Sequence, residues 1–260
     1  MSGGDGLTLV LVWHMHQPEY RDPGTGEYRL PWAYLHALKD YADMAAHLEA
    51  HPRLRAVVNF TPVLLEQLED YARQFASGEL REPLLRLLAR PAAEPLGEAA
   101  RATILRRALA PEHARMQQSF PEFEALRALH AGLRGGGTHH LSDQYFDDLL
   151  VWHHLRWTGE TVRRASSLFT RLLATGTRFS AGDRHALLAL VGEVVSAIVP
   201  RYRRLAAAGR VELCTSPQAH PLAPLLLAFE SAREALPDLA LPQSIGYPGG
   251  HGRPDSRSIA

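Results

Sequence analysis

An α/β fold is the class that this 260-residue sequence predicts, and three observations carry it. An unbroken apolar, β-rich run from Leu7 to Trp13 ends in polar residues and is followed by a helical pattern. A second strand, Arg55 to Phe60, passes straight into another helix through Thr61-Pro62. A third, Val211 to Thr215, appears only after a long stretch of helical periodicity. Strand, polar tip, helix, strand, helix is the order from which right-handed crossovers build a parallel sheet.

Each element has a local reason. Leu7 to Trp13 lacks the apolar/polar alternation of a half-exposed strand, so it is expected to be covered on both faces. Pro18 cannot continue a central strand, which puts His14-Met-His-Gln-Pro18 at the strand's C-terminal end and in the loop beyond it. That loop, residues 19–31, carries the turn signals Asp22-Pro-Gly24 and Gly26. One helix is predicted from Trp32 to Ala50, with Leu35, Leu38, Ala42, Ala45 and Leu48 on one face. Thr61 is a good N-cap and Pro62 suits the first helical position, with Leu64, Leu68, Tyr71 and Ala72 as the buried stripe. Further on, Ser142 caps a helix whose Tyr145, Leu149 and Trp152 share a face. Ser180 and Asp183 form a capping box ahead of Leu187, Val191, Val194 and Ile198, a stripe that Pro200 is expected to bend or interrupt. A last helix covers Leu222 to Ala235. The organisation is then 1–73, the first β/α units; 74–208, a helical insertion forming a lid or subdomain; 209–241, the third strand and its helix; and 242–260, an irregular tail expected to be disordered.

Composition narrows the function classes. With 28 basic and 28 acidic residues the chain has no electrostatic footprint for nucleic acid or an anionic membrane, and a neutral small molecule such as a carbohydrate fits better. Cys214 is the single cysteine, which rules out an intramolecular disulfide and suits a reducing compartment. Met1 to Gly6 has no basic n-region, and no window approaches a membrane span, so the expectation is a cytoplasmic protein with no membrane partner. Lys39, the single lysine, is placed on a helix surface. Gly135-Gly-Gly137 lacks the preceding strand and the Lys-Ser/Thr of a phosphate loop, and Arg101, Arg106 and Arg107 read as solvated helix surface.

The chemistry belongs at the strand tips: His14, His16 and Gln17; Asn59 and Thr61; Glu212, Thr215 and His220. In α/β sheets such C-terminal ends form the binding face. By the period-two rule His14 and His16 point the same way. One reading is a divalent-metal site of the amidohydrolase kind, for which His139-His140 and His153-His154 could each contribute at most one ligand, since neighbours on a helix diverge by ~100°. Another is sugar binding through neutral imidazoles, Gln17 and Glu212, with Trp13, Trp32 and Tyr34 as apolar platforms. A third is a noncatalytic helical interaction protein.

Four ordered stretches carry a resemblance. They are Val12-Trp-His-Met-His-Gln-Pro-Glu-Tyr20, Tyr28-Arg-Leu-Pro-Trp-Ala-Tyr-Leu-His36, Val58-Asn-Phe-Thr-Pro-Val-Leu-Leu-Glu-Gln-Leu68 and Gly209-Arg-Val-Glu-Leu-Cys-Thr-Ser-Pro-Gln-Ala-His-Pro-Leu-Ala-Pro-Leu225. Together they resemble the amino-terminal part of family 57 glycoside hydrolases, the α-amylases, 4-α-glucanotransferases and branching enzymes that act on α-glucans. The resemblance implies an incomplete (β/α) barrel of the seven-stranded glycoside hydrolase/deacetylase type, an α-glucan or oligosaccharide as ligand, a retaining mechanism, and neither cofactor nor metal. It places His14, His16 and Gln17 in the subsite next to the cleaved bond, Glu212 near it, and His220 at its closing edge. Gln218 stands where the family pattern has an aromatic residue, usually Tyr.

Retaining glycosidases use two carboxyl groups about 5–5.5 Å apart. By the resemblance this Glu/Asp pair lies on strands beyond the Glu212 motif. No family motif follows Tyr247-Pro-Gly-Gly250, and Asp255 has no flanking pattern. The expectation is therefore a substrate-binding amino-terminal portion without its own catalytic pair, inactive alone and self-associating through the unfinished barrel.

Overall fold

The structure, a computed structural model, describes residues 9–110, 120–133 and 138–242. The Gly135–Gly137 loop and the tail with Asp255 lie outside the described residues, as does the start of the first predicted strand. Three strands, β1 (Val12–Met15), β2 (Ala56–Phe60) and β3 (Val211–Thr215), form a sheet in the order β1-β2-β3. β1 and β2 run parallel, with His14 opposite Asn59 and Met15 opposite Phe60. The α/β class is confirmed, and the chain divides into two compact units.

The sheet unit comprises Met1–Glu19, Ala56–Glu66 and Glu212–Ala260. Here the first strand departs from expectation. Leu9 to Leu11 are not part of it, and it is not covered on both faces: Leu9, Val10 and Val12 are all exposed. Alternation explains the pattern. Met15 on β1 and Ala56, Val58 and Phe60 on β2 are buried, whereas Val12 and His14, and Asn59 beside His14, lie on the opposite, more open face. The predicted helix over 222–235 is two short pieces, α11 (Ala223–Leu227) and a 3₁₀ turn (Phe229–Glu234), because Ala228 between them adopts an extended conformation.

The helical unit comprises Tyr20–Arg55 and Gln67–Val211. The predicted helix 32–50 is present but contains an irregular turn: α1 (Trp32–His36) and α2 (Ala42–Ala50) flank a π-helical turn at Ala37–Tyr41. The wider turn leaves carbonyls for other elements. Leu38 O accepts from Gly159 N at 3.2 Å, and Tyr41 O from the Tyr202 hydroxyl at 3.1 Å. Leu35, Leu38, Ala42, Ala45 and Leu48 are all fully buried, as their period requires. The helix α3 (Pro62–Ser77) starts in the sheet unit and continues here with Leu68 and Tyr71 buried. It is followed by α4 (Pro83–Ala89), α5 (Glu98–Ala108) and α6 (Pro121–Gly132).

The central element is α7 (Asp143–Trp157), capped by Ser142 and buried along nearly its whole length. A helix buried all round must satisfy its polar groups internally. Asp148 accepts from the Arg178 and Phe179 amides, both at 2.9 Å, Trp152 Nε1 donates to Gly176 O at 2.8 Å, and the Arg156 guanidinium lies 3.7 Å from the centre of the Phe123 ring. Two short helices, α8 (Glu160–Ala165) and α9 (Ser167–Thr175), lead to α10 (Ala181–Ala207) with its Ser180–Asp183 capping box.

Several expectations change in this unit. Pro200 does not end α10; it sits exposed inside the helix, which runs on to Ala207. Val195 is buried in place of Val194, following Val191 by one turn. α10 is also long and apolar enough to cross a membrane by length and composition, contrary to the sequence expectation. Its Leu187, Val191, Val195, Ile198, Tyr202 and Leu205 are buried, and it packs on α2, α4, α7 and α9. Arg101 is not solvated surface. It donates to Leu96 O and Leu141 O, pairs with Asp143 at 2.6 Å and lies over the Phe146 ring, while Arg107 donates to Arg29 O. Lys39 is half-buried, beside Asp40 and over the Trp157 ring.

Candidate functional site

The candidate site lies within the sheet unit. His14 is the penultimate residue of β1 and His16 follows directly after the strand, at the C-terminal end where the sequence places them. Both rings turn to β2. His14 Nδ1 is 2.8 Å from Asn59 Oδ1, and His16 Nδ1 is 3.3 Å from the hydroxyl of buried Thr61. The backbone fixes this register, because Thr61 N donates to Met15 O and carries the β1–β2 pairing one step past the strands. Asn59 Nδ2 reaches on to Cys214 Sγ at 3.4 Å, so one line of polar side chains crosses β1, β2 and β3. Thr215 ties β3 to β2 through its hydroxyl bond to Phe60 O, 2.8 Å.

His220 closes the cluster. Its ring centroid is 4.6 Å from that of His14 and 4.9 Å from that of His16, and the His14 and His16 rings stack at 5.9 Å. To reach that position His220 adopts φ +51°, a conformation uncommon for a residue with a Cβ and often found at binding sites. The loop that holds it is anchored: His220 N donates to Pro217 O, Val63 N in the first turn of α3 donates to Gln218 O, and the Gln218 side chain donates to Glu66 at 2.8 Å. The Gln at position 218 thus has a structural partner. Burial, and then the neighbouring His220 and His14, push the His16 pKa down, so this imidazole stays neutral at pH 7.

The remaining residues named from sequence are placed as follows. Gln17 is half-buried next to His16. Glu212 is exposed on β3, on the same face as Cys214 and about 7 Å before it along the strand. Trp13 alternates to the face opposite His14. Tyr34 is no sugar platform: in the helical unit it is fully buried, its hydroxyl 3.0 Å from His154 Nε2. Trp32, also in that unit, packs at a tilt against Trp157, with ring centroids 5.6 Å apart. His139 and His140 lie exposed in a 3₁₀ turn, Thr138–His140, and His153 and His154 are buried in α7. Among the described residues no group of three or more His, Cys, Asp or Glu side chains is arranged to hold a metal ion. Cys214 and the bridging role of Asn59 escaped the sequence reading; the available signal was a lone Asn in an apolar strand, placed opposite His14 once the two strands are paired in parallel.

The molecule is therefore an α/β chain with a three-imidazole cluster at the end of a parallel strand pair. It belongs to glycosyl hydrolase family 57, whose model matches residues 10–245. No curated protein matches the sequence. Among solved structures it is similar to a family 57-type branching enzyme from the hyperthermophilic archaeon Pyrococcus horikoshii, at 16% identity and TM-score 0.36 over 87% of this chain and 30% of that one. It is also similar to a family 57 branching enzyme from the hyperthermophilic archaeon Thermococcus kodakaraensis, solved in complex with glucose and additives, at 14% identity and TM-score 0.34 over 86% and 28%. The chain thus spans under a third of the length of either.

Proposed function

We propose that the sheet unit forms the first strands of a family 57 barrel and binds a glucose unit of an α-glucan for hydrolysis or glucanotransfer. The observation that supports this is the packing of His14, His16 and His220. The Nδ1 atoms of His14 and His16 are engaged by Asn59 and Thr61, and their Nε2 edges have no hydrogen-bond partner among the described residues. Imidazole nitrogens offer hydrogen bonds to hydroxyls, and burial holds His16 in its neutral form. Gln17 and Glu212 add an amide and a carboxylate.

Binding is proposed without turnover. Glu212 is the single carboxylate on the site face of the three strands among the described residues, and a retaining mechanism needs two about 5–5.5 Å apart. Self-association belongs to the same reading, because Leu9, Val10, Val12, Leu213, Leu222, Leu227 and Leu236 of this unit are all exposed. The exposed free thiol of Cys214 favours a reducing, cytoplasmic setting.

Calorimetric titration with maltohexaose tests the proposal. Wild type is expected to bind, with His14→Ala and His16→Ala each at least tenfold weaker and Glu212→Ala weaker to a smaller degree. Unchanged binding in His14→Ala, or clear conversion of maltohexaose by the wild type, would overturn the corresponding part.

A further inference from the structure

The geometry points to Asn59 as the positioning residue of the site: it holds His14 in the Nδ1–H tautomer and leaves Nε2 as a bare acceptor for a ligand hydroxyl. The inference rests on the sugar-binding reading for its consequence, but not for its geometry. An amide group has one accepting and one donating end. The donating end of Asn59, Nδ2, is directed at Cys214 Sγ, 3.4 Å away on β3, and the accepting end, Oδ1, at His14 Nδ1, 2.8 Å away on β1. A carbonyl oxygen can only accept, so Nδ1 must carry the proton, and the neutral ring is left with Nε2 unprotonated.

The same logic orients histidine ligands in metal sites, where the hydrogen bond at one ring nitrogen decides what the other can do. Free histidine in water favours the opposite tautomer, with the proton on Nε2. Without Asn59, His14 would present a donor where the native protein presents an acceptor. Cys214 takes part as the second anchor: its sulfur occupies the Nδ2 end and prevents the amide from rotating its donors toward the imidazole.

Long-range ¹H–¹⁵N correlation spectra of the histidine side chains at pH 8 read the tautomer directly. The expected result is Nδ1–H for His14 in wild type, Nε2–H dominant in Asn59→Leu, and Nδ1–H restored in Asn59→Asp, whose carboxylate again only accepts. Cys214→Val is expected to give a mixture. Maltohexaose binding should fall about tenfold in Asn59→Leu and recover in Asn59→Asp, which a merely structural role would not produce. An Nε2–H tautomer in wild type, or a tautomer unmoved in a folded Asn59→Leu, overturns the assignment. A tautomer switch as expected in a protein that does not bind maltohexaose upholds the positioning role and removes the sugar reading instead.

Discussion

His154 of the helical unit and His14 of the sheet unit use their rings in parallel ways up to a point. His154 Nδ1 lies 2.8 Å from Leu150 O, a carbonyl that fixes the proton on that nitrogen, and its Nε2 accepts from the Tyr34 hydroxyl. His14 Nδ1 is fixed by Asn59 Oδ1 in the same sense, and its Nε2 has no partner among the described residues. The first ring is a finished structural element, whereas the second is half-finished. The difference extends to the units themselves. In the helical unit even the charges are answered internally: Arg184 is buried, donates to Leu87 O, Leu88 O and Arg90 O, and pairs with Asp147. In the sheet unit large apolar side chains remain exposed beside the imidazole cluster. The helical unit pairs most of its buried polar groups, Arg90 Nε, Arg163 Nε and the Tyr71 hydroxyl being exceptions, whereas the sheet unit leaves a ring edge of His14 open.

The strongest way to break this contrast is Arg184→Met. It strips three carbonyls at the end of α4 of their donor and leaves the Asp147 carboxylate to Arg90, so urea denaturation should show a loss of about 3 to 5 kcal/mol. Proton linkage comes next. Burial pushes the His154 pKa down to about 4, so the folded state resists protonation and stability is lost as pH falls from 6.5 toward 4. Burial raises Glu82, the N-cap of α4, to about 7, so its contribution is present at low pH and is lost as pH rises from 4.5 through 7. Each amounts to roughly 3 kcal/mol at full extent by the free energy per pKa unit, and the two oppose each other. His154→Gln should flatten the acid limb of a stability–pH profile, and Glu82→Gln the rise-driven loss toward neutrality.

Gly159→Ala is a smaller intervention. A Cβ there would lie 2.7 Å from Lys39 O and from Asp43 Oδ1, and the backbone cannot yield without disturbing the π-helical turn, so about 1 to 3 kcal/mol should be lost in thermal or urea unfolding. The smallest effect is expected in the other unit. Leu213, 47% exposed, should tolerate Leu213→Ser within about 0.5 kcal/mol. Sedimentation velocity should nonetheless show less self-association. A large destabilisation there would erase the contrast between the units.

How legible this was varies element by element. The buried stripe Leu35–Leu48, the Ser142 and Ser180 caps and the three strands could be read because each depends on residues a few positions apart. The π-helical turn at Ala37–Tyr41 could not, since its freed carbonyls are claimed by Gly159 and Tyr202, more than a hundred residues away. Arg101 was misread for the same reason: on a helix map it is one more surface charge, and its partners Leu141 and Asp143 are about forty residues distant.

In the site, the sequence by itself determined which chemistry was on offer: His14 and His16 two apart at a strand end, and His220 in a loop after the third strand. Period-two alternation and proline's missing N–H are local rules that need no fold. Tertiary structure alone decided that Asn59 faces His14, that Cys214 backs Asn59, that Tyr34 is core and not platform, and that the β1 face stays open. Those depend on strand register and on which unit a residue joins. Both arise from non-local burial and pairing, whose free energy is realised only when the chain has closed on itself.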